Sequence, residues 1–444
     1  MEIANTCRRL FLTALVCLAA LPLASCNSGN GVGAVPLLTR IRVVNLVPNA
    51  PSIQVQLDTD TPFVAGMQFE QVTPYIEVDP GTRELKVSAD GGQTNIIDVS
   101  VTLVKAVDYT LVIYGPVEAV AQSLIVDTST LVPNGGTFDL RVLNVANGIA
   151  GIDVYLTPPG ADLSLTAPWL TNVALGASVS IFVPVTVDSN SELRVTISGS
   201  KEVIYDAEVG TFADKSLAEV VVFGKGSAKL VNAAVLLIDS NGTGQVFDST
   251  LAEFKVLNGT SLGAPLNVFV DGTLVLANVP FGGVSNYQKV AAGTRVITVQ
   301  SAATPGATLL TVVATLEPAT DTSIAVSGPA GALRSLVLTD NNLPSAAGRA
   351  RVRFVNASPD LAAMDVYVNF SKTFSNVASN TASPYSELVA DPFAGTAYEF
   401  DFNLAGTSTP LLKLPGVLLA AGKTYTVYVV GSAAAPQGVV STDD

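Results

Sequence analysis

Histidine is absent from all 444 residues. No other side chain has an unperturbed pKa so close to neutrality, so its absence removes Ser-His-Asp triads, Cys-His dyads and the common zinc and iron ligand sets. Charge is also scarce: 14% of residues are Asp, Glu, Lys or Arg, where an average chain carries about a quarter. What charge there is leans acidic. The 37 Asp and Glu against 23 Lys and Arg give a net −14, which repels phosphate backbones and anionic membrane surfaces. Nucleic acid is therefore not expected as a partner. An apolar content of 48% argues against disorder, and a chain of this length exceeds a single core, so several packed domains are expected.

Cysteine is nearly absent too, and all three copies stand at the N-terminus, at Cys7, Cys17 and Cys26. Arg8 and Arg9 precede an apolar run from Leu10 to Leu23, which leads into Leu23-Ala24-Ser25-Cys26. The run is shorter than the ~20 helical residues a bilayer requires, so it reads as an export signal rather than a permanent span. Leu-Ala-Ser-Cys resembles the bacterial lipobox. That resemblance implies cleavage before Cys26, a thioether-linked lipid on its thiol and attachment to a membrane. Residues 1–25 are accordingly expected to be a lipoprotein signal peptide and 26–37, rich in Gly and Asn, a flexible tether. An ordinary secretory cleavage site beside a cysteine is the plain alternative. With Cys7 and Cys17 removed, no intramolecular disulfide can form, and the domains must stand on packing alone. By resemblance to lipoproteins of two-membrane bacteria, Asn27 after the lipidated residue favours the outer membrane or cell surface.

The rest of the chain repeats itself. Four segments open alike, at Ile41-Arg42-Val43-Val44-Asn45, Leu140-Arg141-Val142-Leu143-Asn144, Phe254-Lys255-Val256-Leu257-Asn258 and Val352-Arg353-Phe354-Val355-Asn356. Eight residues after each Asn a second alternating run begins, at Ile53, Ile152, Leu266 and Met364. Each unit later shows a hairpin signal, at Asp90-Gly91-Gly92, Ser198-Gly199-Ser200, Pro305-Gly306 or Ala405-Gly406, and then an apolar run ending in Gly115, Gly224, Gly328 or Gly431. A last strand is expected near Asp127, Asp239, Asp340 and Asp443. A period near 100 residues means tandem domains, since solenoid repeats run about 20 to 50. The units are placed at 38–131, 132–247, 248–343 and 344–444. Runs of five to eight alternating residues rich in Val, Ile, Thr and Tyr are strand patterns, and no twelve-residue helical stripe occurs. The fold class expected is all-β: tandem immunoglobulin-like antiparallel β-sandwiches, lacking the Cys pair and core Trp of antibody domains. Short Gly-, Pro- and Asn-rich joints suggest beads on a semi-rigid string.

The fourth unit carries a family resemblance. Arg351-Val352-Arg353-Phe354-Val355-Asn356-Ala357-Ser358-Pro359-Asp360, followed by Met364-Asp365-Val366-Tyr367-Val368, resembles the bacterial domain of unknown function 4397. Phe374-Ser375-Asn376-Val377, Tyr385, Ala394-Gly395-Thr396 and the run Ala421 to Val427 resemble its later features. The first three units keep the Asn and the second strand but lack Ser-Pro-Asp. The resemblance implies a β-sandwich in secreted or surface proteins and implies no catalysis. Where that family often carries His, all four units carry Asn.

Motifs that could carry chemistry read more plainly as structure. Gly259-Thr260-Ser261-Leu262-Gly263 fits a nucleophile elbow, yet it falls between two strands and has no His base. Ser198-Gly199-Ser200-Lys201 fits Ser-x-x-Lys but spans a hairpin turn. Asp239-Ser240-Asn241-Gly242 lacks the Glu that completes a calcium loop and reads as a domain joint. Asp153 and Asp365 alternate with core positions and are expected on solvated faces. Parity puts Asn45, Asn144, Asn258 and Asn356 on the core side of their strands and Arg42 outside; a buried amide there is expected to bond the following loop. Ligand binding is the other reading of these Asn. The only Trp, Trp169, lies in an insertion of unit two, Thr157 to Thr171, either packed back on its domain or exposed as a ligand platform. No catalytic residue, cofactor or metal is expected.

The expected protein is a non-enzymatic, lipid-anchored envelope component, held to the membrane through Cys26 and binding a protein or glycan for adhesion or spacing. The alternatives are a carbohydrate-binding or carbohydrate-processing surface lipoprotein and a structural subunit that self-associates through strand edges.

Overall fold

The computed structural model describes residues 38–443, except 51, 90–93, 128–131, 178–181, 187–190, 211, 226–232, 240–243, 342–344 and 346–347. The expected signal peptide, tether and Cys26 lie outside the described residues. Residues 38–444 form one compact unit built almost wholly of strands.

In the first sandwich the strands are β1 (Thr39–Leu46), β2 (Ile53–Leu57), β3 (Val64–Met67), β4 (Ile76–Val78), β5 (Gly81–Ala89), β6 (Thr94–Leu103), β7 (Asp108–Tyr114) and β8 (Ala121–Asp127). They form two four-stranded sheets, ordered β4-β1-β7-β8 and β3-β2-β5-β6. Alternation drives the packing. In β2 the residues Ile53, Val55 and Leu57 are buried while Gln54 and Gln56 between them are half-exposed, as period-two side-chain placement requires. They meet Ile41, Val43, Leu111 and Ile113 of the other sheet in one apolar core. The three later units repeat this plan around their own cores.

Tandem β-sandwiches are thus present as expected, with an internal order that departs from the immunoglobulin one. There the first two strands share a sheet; here β1 and β2 lie in opposite sheets. The opening strand also pairs in parallel with the seventh, Ile41 beside Tyr109 and Val43 beside Leu111. The same parallel pair recurs in units two, three and four. Placed between two neighbours, the opening strand sits inside its sheet, and both of its faces become available for burial.

Both are used. Val44, Leu46, Val112 and Tyr114 on the outward face of the first sheet share an apolar cluster with Leu143, Val145, Val221 and Phe223 of unit two. Leu257 and Ala325 of unit three likewise pack on Val355, Tyr428 and Val430 of unit four. Independent beads are therefore corrected to sandwiches paired one with two and three with four. The signal was the doubled apolar step Val43-Val44, Val142-Leu143, Val256-Leu257 and Phe354-Val355, which a strand with one wet face would not contain. Gly259 belongs to this contact, because a Cβ there would come within 3.1 Å of Val430 Cγ1.

The glycines that close the apolar runs have a local cause. Gly115, Gly328 and Gly431 adopt φ of 85°, 106° and 83°. A Cβ on them would lie 2.9, 2.4 and 2.6 Å from the carbonyl oxygens of Ala119, Ala332 and Ala435. Only glycine meets both demands.

Candidate functional site

The repeated Asn is a clip between the two sheets. All four Asn are fully buried. Asn45 Nδ2 donates to Met67 O at 3.0 Å, Asn144 to Val173 O at 3.0 Å, Asn258 to Val279 O at 2.9 Å and Asn356 to Val377 O at 3.3 Å. The acceptor is always the end of the third strand, in the opposite sheet. Asn144 and Asn356 also reach the following loop, at Ile149 O and Ala362 O, and the amides of Val47, Ala146 and Thr260 donate back to the first three Asn at 3.0, 3.0 and 3.1 Å. Replacing Asn356 by Ala leaves the Ala362 and Val377 carbonyls without this donor, so a loss of about 1–3 kcal/mol is expected in thermal unfolding of the chain.

The Ser-Pro-Asp tripeptide of unit four is also structural. Ser358 Oγ donates to Gly431 O at 2.7 Å, and Asp360 Oδ1 accepts from Ala433 N at 2.9 Å. Together they tie the loop after the opening strand to the end of the strand Thr424–Ser432 and the turn that follows it.

Asp153 and Asp365 are corrected from solvated to buried, at 7% and 3% exposure. Asp153 accepts from Asn172 N, Ser198 Oγ and Gly199 N at 2.8, 3.0 and 3.1 Å. Asp365 accepts from Lys372 Nζ, Asn376 N and Gly406 N at 2.7, 2.8 and 3.2 Å. Each carboxylate locks two hairpin turns, and Asn172 and Asn376 sit at φ of 52°. Burial alone would raise the Asp153 pKa, but the backbone donors outweigh it; the Lys372 ammonium and the same kind of donors lower that of Asp365.

The densest polar constellation lies where sheets of two units meet. Its members follow from parity: Arg42, Arg141, Lys255 and Arg353 point away from their own cores and so into the interface. Between units one and two, Arg141 Nη2 lies 2.7 Å from Asp127 Oδ1 and 3.1 Å from Glu219 Oε2. Arg42 Nη2 lies 3.6 Å from Asp127 and 3.7 Å from Glu219, and Arg42 Nε donates to Thr110 Oγ1 at 2.6 Å. Thr110 and Tyr75 hydroxyls in turn donate to Asp127 Oδ2, both at 2.6 Å.

Units three and four repeat the arrangement. Lys255 Nζ donates to Asp443 Oδ1 at 2.7 Å and to Thr442 O at 2.6 Å. Arg353 pairs with Asp340 and donates through Nε to Thr426 Oγ1 at 2.8 Å. Asp340 further accepts from Ser323 and Tyr287, and Asp443 from Thr426 and Tyr385. In both pairs a cation of one unit meets a carboxylate of the next, and the exchange is reciprocal. Each cation also stands over an aromatic ring of its own unit: Tyr75, Phe182, Tyr287 and Tyr385, at 4.9, 4.8, 4.6 and 4.9 Å from the centroid. Burial opposes the charge on Arg353, but Asp340, Tyr385 and Asp443 outweigh it and hold its pKa above the ordinary value.

These groups are 0 to 9% exposed and hydrogen-bonded to one another, so no substrate reaches them as they stand. What the arrangement does chemically is set the register of one sheet on another. Among the described residues no cluster of three or more metal-ligating side chains occurs.

Trp169 is half-buried and packs against the core of unit two, and its amide donates to Val154 O at 2.8 Å. The insertion instead exposes Leu165 at its tip, at 87%. Ser261 of the elbow-like run sits at the end of a strand with its amide on Gly328 O, and Lys201 of the Ser-x-x-Lys run donates to Tyr155 Oη at 2.8 Å rather than to a serine.

Among curated proteins none matches the chain. Among solved structures, a family 26 carbohydrate-binding module of Eubacterium rectale Amy13K, in complex with maltoheptaose, is 11% identical; it covers 46% of this chain and 99% of its own, with a TM-score of 0.18. A family 41 carbohydrate-binding module from streptococcal virulence factors is 9% identical over 46% of this chain and 97% of its own, with a TM-score of 0.14. The Bacillus anthracis TIE protein is 10% identical over 86% of this chain and 69% of its own, also at 0.14. TM-scores this low carry no argument about ligand. The family model titled "Domain of unknown function (DUF4397)" matches residues 39–155, 252–365 and 350–444, more than half of the chain and parts of all four sandwiches, so the chain belongs to that family.

Proposed function

We propose that this protein is a non-catalytic, lipid-anchored component of the bacterial cell envelope that presents its sandwiches as two rigid pairs for binding an extracellular or envelope partner. The observation that carries the reading is the fate of the polar groups the four units share. The Asn clips bond backbone, and the cation–carboxylate clusters close on each other between sheets. A chain without histidine whose repeated polar residues are all engaged in holding sheets together supports a scaffold that acts through its surface. Pairing supports rigidity, because units one and two bury a continuous apolar cluster against each other. The anchor rests on Leu23-Ala24-Ser25-Cys26.

Metabolic labelling with a clickable fatty-acid analogue tests the address. Wild type is expected to take up label and sediment with membranes, and Cys26→Ala is expected to lose the label and appear in the soluble fraction. Equal labelling of both proteins would overturn the anchored reading.

A further inference from the structure

The four units treat one strand edge differently. In units one to three the sixth strand ends the second sheet, and in unit four, where Thr381–Ala382 and Ser386–Val389 divide the fourth position, the seventh does. An end strand presents free backbone donors and acceptors that soluble proteins blunt with charge, proline, bulges or a covering segment. Unit one places exposed Asp98 on β6. In unit two the strand Val203–Gly210 carries Asp206 and Glu208. It is also covered: Thr250 N and Oγ1 donate to Asp206 O at 2.7 and 2.8 Å, and Asp206 N donates to Ser249 Oγ at 3.3 Å. In unit four Pro410–Leu419 holds Pro410, Lys413 and Pro415, and its pairing shifts register twice.

Unit three keeps only one of these devices, a single register shift where its strand begins, opposite Val299 and Gln300. Its strand Thr308–Leu316 reads Thr-Leu-Leu-Thr-Val-Val-Ala-Thr-Leu, without charge, proline or glycine. Residues 310–316 pair in unbroken antiparallel register with the neighbouring strand Gly293–Ser301. Val313 is 68% exposed, with Thr311 and Thr315 exposed on either side of it, and Val296 opposite Val313 is 44% exposed. The other end strand of this sheet, Thr273–Val279, also lacks charge but is broken by register shifts and by Asn278 at φ 59°.

We infer that Thr308–Leu316 is a docking strand for a second copy of this chain, paired antiparallel about a two-fold axis near Val313. The sequence is complementary to itself in that register. Val313 faces Val313 and Thr311 faces Thr315 on the outer side, while Leu310 meets Leu316 and Val312 meets Ala314 on the core side. These are β-branched and apolar cross-strand pairs with no like charges opposed. The strand itself carries no charge, so pairing it with its own copy sets no like charges against each other along the seam. Pairing joins two four-stranded sheets into one of eight and uses the same patch on both partners, as a closed dimer requires. The inference does not depend on the lipid anchor.

Sedimentation of residues 38–444, which form one compact unit, tests it. Wild type is expected to dimerise with rising concentration, and hydrogen-exchange protection is expected to increase within residues 308–316. Val313→Lys sets two ammonium groups face to face and is expected to raise the dimer dissociation constant at least tenfold with an unchanged melting temperature, since the side chain is exposed. Val440→Lys, on the exposed side of unit four at 36%, is expected to leave the dimer intact. A wild type that stays monomeric to millimolar concentration, or a dimer indifferent to Val313→Lys, would overturn the inference.

Discussion

Replacing Arg353 by methionine is expected to destabilise units three and four by about 3–5 kcal/mol, the range for breaking one partner out of a buried ion pair. For a cooperative block of this size that is roughly 6–20 °C in melting temperature. The size follows from what is left behind. Asp340 has no exposed side-chain surface and would keep only the hydroxyls of Ser323 and Tyr287, while Asp443 would keep Lys255. Met fills the guanidinium stem, so the loss is chiefly electrostatic. Differential scanning calorimetry should show the transition of units three and four moving down while that of units one and two, held by Arg141 and Asp127, stays in place. Adding Asp340→Leu removes the orphaned charge and is expected to recover most of the loss, because a buried ion pair and a well-packed apolar pair differ little in net stability. Failure of that rescue would mean that Arg353 acts through packing rather than through its charge.

Raising the pH from 5.5 to 7.5 is expected to weaken unit three by about 4–5 kcal/mol, at about 1.4 kcal/mol per unit for each proton retained by the folded state. The source is a carboxyl pair at the base of the sandwich. Glu253 and Asp321 lie side by side on the parallel strands and are 5% and 4% exposed. Burial pushes Glu253 up to about 7, against the pull of Lys289, and pushes Asp321 up to about 8, with Glu253 adding to the rise. A carboxyl whose folded pKa exceeds its unfolded value near 4 binds more protons when folded. Its contribution is therefore complete only below the unfolded pKa near 4, declines as the pH rises above that, and is fully lost once the pH has passed 7 and 8. Asp153 and Asp365 have the opposite sign: their stabilisation is present above the unfolded pKa near 4 and is lost only in stronger acid, so they leave this window unchanged. Chemical denaturation across the pH range should show the decline, and Glu253→Gln with Asp321→Asn should flatten it. An equally steep decline in that double variant would place the titrating group elsewhere.

Parity in the opening strand was enough to place Asn45 and its three counterparts inside and Arg42 outside its own core. The expectation stopped at that point because outside a sandwich was equated with solvent. Val44, Leu143, Leu257 and Val355 on the same outward face carried the missing information. The aromatic partners of the cations were also within reach: Tyr75, Tyr287 and Tyr385 stand 33, 32 and 32 residues after Arg42, Lys255 and Arg353. Asp153 and Asp365 were misplaced for a different reason. Alternation assigns a side chain to a face but not the height of the turns that fold over it, and those turns supply the backbone amides that bury both carboxylates. Strand order was least legible of all, because nothing local distinguishes a second strand that stays in its sheet from one that crosses to the opposite layer.

The exchange of charges between neighbouring sandwiches bears on how such a chain can change its length. Arg141 answers Asp127, and Arg353 answers Asp340; a unit copied or lost alone would expose a wide apolar sheet and strand a cation or a carboxylate without its counterpart. Two adjacent units gained or lost together raise no such conflict. The heritable module of this architecture is therefore a couple of sandwiches, and its relatives should differ in length by even numbers of them.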